Sequence, residues 1–125
     1  MATVTPTLSL VTADALVDKL NLSVTDRLTI AGQAVYGSAA MSTSVDFTIA
    51  AATYGNSYVY LKNMSTDSSA RGGGSTESID VELNTVNLML LGPGEFAFFP
   101  WTGETNINIL SVAGTPTLEY AIFEF

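Results

Sequence analysis

The charged groups with which this chain could do chemistry are twelve carboxylates and four basic side chains, Lys19, Arg27, Lys62 and Arg71; it has neither histidine nor cysteine. Without those two residue types no Ser-His-Asp or Cys-His triad can be assembled. Zinc, copper and non-haem iron also lose their usual ligands. A Ser–Lys dyad would have to use Lys19 or Lys62, and neither lies in a motif that marks one, so both read as solvated lysines. Glu95 and Glu104 are the pair that could flank a cleft as the acid and nucleophile of a glycosidase. Set against that is the plainer reading of two carboxylates solvated at turns. Asp67, Glu77 and Asp80 gather around a polar loop and offer oxygens suited to calcium, but the spacing of an EF-hand loop is absent. Arg71-Gly72-Gly73-Gly74-Ser75-Thr76 superficially suggests a phosphate loop; no Gly-Lys pair exists, and the stretch reads as linker. Asn21-Leu22-Ser23 and Asn63-Met64-Ser65 match the glycosylation sequon by chance if no secretory signal precedes them. Trp101 with Tyr58 and Tyr60 could stack a sugar, although filling a core or an interface is the commoner use of such rings. These residues lead to the expectation of a protein that is not an enzyme and holds no cofactor or metal.

The totals point the same way. A length of 125 residues fits one domain, which buries roughly two-thirds of its unfolded surface without staples. The net charge is −8, and the four basic residues are scattered, so no phosphate-tracking patch exists and neither nucleic acid nor an anionic membrane is an expected partner. Charged residues make up 13% of the chain, about half the usual share, and Ser, Thr and Asn supply most of the polar surface. Such a surface suits packing against neighbouring protein, where charge is depleted. The first ten residues, MATVTPTLSL, carry no basic n-region or long apolar h-region, so no secretory signal is expected. A run of about 18 apolar residues, enough for a helical membrane span, does not occur.

The elements that must position these groups are short strands. Val45–Ala51 places Val45, Phe47 and Ile49 on one side, and Tyr58–Asn63 sets Tyr58, Tyr60 and Lys62 against Val59 and Leu61. Ser78–Leu83 alternates Ile79, Val81 and Leu83 with Asp80 and Glu82, and Asn106–Val112 alternates Ile107 and Ile109 with Asn106 and Asn108. Residues 12–24 are open to two readings: Ala13, Leu16, Val17 and Leu20 fall at helical spacing, whereas Leu20, Leu22 and Val24 alternate as a strand, and we expect a strand over Leu16–Val24. Arg27–Ala31 follows as a strand, Gln33–Ser44 as a loop or weak edge strand, and Met64–Thr76 as an exposed loop. In Leu88–Trp101, two apolar runs flank Gly92-Pro93-Gly94; Pro93 suits position i+1 and Gly94 position i+2 of a type II turn. We expect a hairpin there, buried on both faces because its runs do not alternate. Thr117–Phe125 sets Leu118, Tyr120 and Ile122 against Ala121, Phe123 and Phe125, so cover is expected on both sides. The expected fold is therefore all-β, an antiparallel β-sandwich, jelly-roll-like, of eight or nine short strands over 11–125, preceded by a flexible arm over 1–10.

Over Tyr58–Phe125 the order of YVYLKN, a polar loop, a strand, Leu91-Gly92-Pro93-Gly94-Glu95, FFPW and LEYAIFEF resembles small jelly-roll virion proteins of tailed bacteriophages, the head decoration (cement) and related auxiliary proteins. The Pro-Gly-Glu turn and following aromatic strand also look like a cupin motif, but the histidines that hold a cupin metal are missing. The virion resemblance implies a homotrimer on the capsid exterior bound to the major capsid protein. Under it, Phe96, Phe98, Phe99, Trp101, Tyr120, Phe123 and Phe125 would form the subunit interface. Thr3, Val4, Thr5, Pro6 and Leu8 of the arm, or Arg71 in the Met64–Thr76 loop, would grip the shell. The alternative is a carbohydrate- or receptor-binding module of a tail fibre, for which a solvent-facing Trp101 beside Tyr58 or Tyr60 is the requirement.

Overall fold

The structure, a computed structural model, describes residues 2–12, 20–66 and 77–125. Short apolar–polar alternations bounded by Gly, Pro, Asn and Thr fold here as strands, and the described residues contain no helix. The strands are β1 (Ala2–Val4), β2 (Thr7–Thr12), β3 (Leu20–Thr25), β4 (Leu28–Ile30), β5 (Ala34–Ala40), β6 (Phe47–Ile49), β7 (Ser57–Asn63), β8 (Ile79–Leu83), β9 (Val86–Leu91), β10 (Phe96–Trp101), β11 (Ile107–Ser111) and β12 (Thr117–Glu124).

Eight of them form two four-stranded antiparallel sheets, β10-β7-β12-β5 and β6-β11-β8-β9, and the chain changes sheet at almost every connection. The pairing has a simple logic. β5 pairs with β12, β6 with β11, β7 with β10 and β8 with β9, as if one long hairpin had its tip at Asn84-Thr85. Rolling that ribbon adds the pairs β7–β12 and β8–β11, which close each sheet. This is the jelly-roll arrangement of two packed sheets. Asn84 takes a positive φ of 60° at the tip, a conformation asparagine tolerates better than most residues.

The core lies between the sheets. Val59, Leu61, Leu118 and Ile122 enter it from the first sheet, and Ile79, Val81, Ile107 and Ile109 from the second, all essentially inaccessible. Each contributes about 1.5–3 kcal/mol by leaving water. The expected alternation in β7, β8 and β11 is observed, and Gln33–Ser44 supplies the edge strand β5. β6 is shorter than expected, and Val45 lies outside it, exposed. Within Leu16–Val24, residues 20–24 are strand, and 16–19 fall outside the described residues.

The expected buried hairpin over Leu88–Trp101 does not form. The type II turn is present, with Gly94 at φ 75° and the Glu95 N–H donating to the Gly92 carbonyl at 3.0 Å. It carries the chain from one sheet to the other, so β9 pairs with β8 while β10 pairs with β7. Both are edge strands with one face outward, which leaves Leu88, Leu90, Phe96 and Phe98 exposed rather than covered. An apolar run without alternation marks burial on two faces only if something covers the second face, and among the described residues nothing fully covers these two.

Two small sheets precede the sandwich. β1 pairs with β4, and β2 with β3 as a ribbon.

Candidate functional site

Strand register decides what the outer face of the first sheet displays. Three rows cross it: Phe96, Lys62, Glu119 and Ser38; Phe98, Tyr60, Ala121 and Tyr36; Pro100, Tyr58, Phe123 and Ala34. Directly opposed side chains on one face sit within contact distance, so the rows gather six aromatic rings where any one strand would show two or fewer. Tyr58 stacks on Phe98 at 5.2 Å with the planes 13° apart, and its other neighbour is Phe125 at 5.4 Å, tilted.

Glu119 orders the polar side of this face. Its carboxylate accepts from the Tyr36 hydroxyl at 2.8 Å and the Tyr60 hydroxyl at 3.0 Å. Those two bonds, with help from Lys62, hold the Glu119 carboxyl below the usual carboxylate range. Burial first, and the bond to Glu119 second, push the Tyr60 phenol up to about 12, and the same carboxylate raises Tyr36. A carboxylate pKa moved down and phenol pKa values moved up all lie further from neutrality, where proton transfer is less effective, so the cluster is suited to fixing ring positions.

The ribbon β2–β3 stands over one end of this face. Leu8 opposes Val24 and Leu10 opposes Leu22, so all four share one side of the ribbon, and all four are exposed. Between ribbon and sheet runs a groove of about 630 Å³. Pro6, Leu8, Val24 and Leu28 line one wall, and Tyr58, Tyr60, Phe96 and Phe98 the other. Asp26 is the one charged residue among the described residues of the lining.

Two buried or shielded polar residues set the frame. Asn63, wholly inaccessible, donates through Nδ2 to the carbonyls of Glu77 at 2.7 Å and Leu91 at 3.0 Å, and accepts from the Ser65 N–H at 3.0 Å. Its backbone also brackets the turn before β10, accepting from Gly94 and donating to Glu95. The Asn63 sequon is therefore closed to modification in the folded chain. At the other end of the sheet, the Glu124 carboxylate accepts from the N–H groups of Gln33 and Gly55, both at 2.9 Å, and these bonds lower its pKa. A Cβ at Gly32 would lie 2.3 Å from Glu124 Oε2, so a larger residue there would displace this carboxylate from its two bonds.

The residues singled out in sequence separate into distinct groups. Phe96, Phe98, Phe123 and Phe125 lie on or beside the aromatic face. Phe99 and Tyr120 pack against the core, the latter tilted on Phe47 at 4.7 Å. Trp101 is 6% exposed and donates from Nε1 to the Thr105 carbonyl, so it cannot share a sugar platform with Tyr58 and Tyr60 on the opposite side of the sheet. Thr3 and Val4 belong to β1, Thr5 and Pro6 to the link that follows, and Leu8 to the ribbon. Arg71, Asp67 and Lys19 fall outside the described residues.

The glycosidase pair is dismantled. Glu95 Oε2 accepts from the Gly92 N–H at 2.7 Å and caps the turn, while Glu104 is exposed beyond the far end of β10. The strand between them spans about 20 Å, well beyond the separation a retaining or inverting pair requires. Glu77 is bonded by the Ser65 hydroxyl and Asp80 lies in β8, and among the described residues no three acidic groups converge as a metal site.

Sequence reasoning passed over Tyr36, Glu119, Leu10, Leu22 and Val24 as site residues. The register that aligns them is long-range, and the sequence signal was confined to the uncharged alternation of 7–12 and 20–25. No protein-family model and no curated protein matches the chain.

Proposed function

We propose that this chain is a non-enzymatic structural protein of a tailed-phage virion, one that self-associates and decorates the capsid exterior by binding the major capsid protein. The observation that carries the reading is the amount of uncharged apolar surface left open in two places, the ribbon face and the aromatic face of the first sheet. A contiguous apolar patch of more than a few hundred Å² on a small domain marks a protein-interaction site. The jelly roll supplies a rigid body for such contacts, and the low charge of the surface favours close packing in a lattice. Thr3, Val4, Thr5, Pro6 and Leu8, or the stretch around Arg71, are the parts assigned to the shell.

Quantitative mass spectrometry of purified particles of the encoding phage tests this reading. The expected result is the chain in copy number comparable to the major capsid protein. Its absence from purified particles would refute the virion role.

A further inference from the structure

The ribbon β2–β3 poses a problem of its own. A two-stranded hairpin alone is marginal in water and needs a packed face to persist. Here the face carrying Leu8, Leu10, Leu22 and Val24 is 40–55% exposed. The aromatic wall of the groove has the matching deficit, with Phe96 61% exposed.

We infer that the occupant of the groove is a second copy of this chain, its ribbon laying the Leu10–Leu22 face on the Phe96, Phe98 and Tyr60 wall. Three observations select a copy. The first is charge: two bodies of net charge −8 repel, so a contact between them favours surface poor in charge; neither strand of the ribbon, TLSLVT or LNLSVT, carries a charged residue, and the described lining of the groove carries only Asp26. The second is size. A six-residue ribbon spans about 20 Å, and four strands cover about 15 Å across, so the ribbon fits the width of the sheet face. The third is area: the four ribbon residues with Phe96 and Phe98 expose on the order of 500 Å² of side chain. Because the contact joins the ribbon of one copy to the wall of another, this sum is about a third of the roughly 1,600 Å² that a standard interface buries in total, and reciprocal seating of both ribbons doubles it. Pro100 in the edge strand β10 lacks an N–H, which opposes strand addition at that edge and leaves the face as the surface to cover. Leu8, one of the residues named for the shell, belongs by this assignment to the contact between copies.

The inference deepens the proposed self-association and can fail separately from the virion role, since being monomeric in solution does not prevent a chain from being found in particles. The test is light scattering on the full chain and on two surface variants, Leu22→Asp in the ribbon and Phe96→Asp in the groove. Wild type is expected to show the mass of two or more chains, and each variant alone the mass of one, with an unfolding transition retained. An equimolar mixture of the variants should recover a two-chain species, because one intact ribbon then meets one intact groove. A monomeric wild type at its highest soluble concentration overturns the inference. So does a Phe96→Asp variant that still associates, which would mean ribbon-to-ribbon pairing, or a mixture that stays monomeric.

Discussion

Replacing Asn63 with alanine tests the way the frame presents the aromatic strand. The side chain makes three hydrogen bonds, two donated to the carbonyls of Glu77 and Leu91 and one accepted from the Ser65 N–H, at a site with no solvent access. A net contribution of about 1 kcal/mol for each bond gives about 3 kcal/mol. The cavity left in a close-packed site, and carbonyls that lose a donor away from water, raise the expected cost to about 3–5 kcal/mol. That is a large part of the about 5–15 kcal/mol available to a domain. Urea unfolding followed by Trp101 fluorescence measures it, since that ring is buried in the native state. Asn63→Asp is the informative companion. It retains an acceptor for the Ser65 N–H but turns an anionic oxygen toward two carbonyls, so it should be at least as damaging at neutral pH. A loss below about 1 kcal/mol for the alanine variant, or a stable aspartate variant, would show that Asn63 does not hold the turn that launches β10.

Other perturbations separate the layers of the structure. Glu124→Gln should destabilise the chain at neutral pH and become indistinguishable from wild type in acid. The folded-state pKa of Glu124 lies below its ordinary 4.5, so its contribution is complete above that pH and disappears as pH falls through the folded value; parallel pH–stability curves would contradict this. Ser78→Ala should be neutral or stabilising by up to about 1 kcal/mol in thermal unfolding, because among the described residues the Ser78 hydroxyl is the one buried side-chain oxygen with no partner. A clear loss would mean that the hydroxyl is satisfied. Ile109→Ala should cost about 2–5 kcal/mol, whereas Phe98→Ala, at a site open to solvent, should cost about 1 kcal/mol through its stack on Tyr58. Equal costs in denaturant would return Phe98 to the core.

What the sequence determined by itself is the part governed by neighbouring residues. Alternation in SYVYLKN, IDVEL and INILS assigns core and outer faces, because a strand sends successive side chains to opposite sides whatever it pairs with. Pro93 and Gly94 specify their turn through the backbone angles those residues favour. With neither histidine nor cysteine, this sequence can supply no triad built on those residues. The destination of the chain after a turn was not legible. Gly92–Glu95 looks the same whether it closes a hairpin or crosses between sheets, and only the rolled pairing of β7 with β10 and β8 with β9 settles which. That pairing exposes Phe96 and Phe98, buries Trp101, and parts Glu95 from Glu104. The aromatic face and its Glu119 hub likewise unite residues from four strands far apart in the chain. Such contacts follow from long-range register, which depends on how two whole sheets bury their apolar sides together and leaves no mark within a short window of residues.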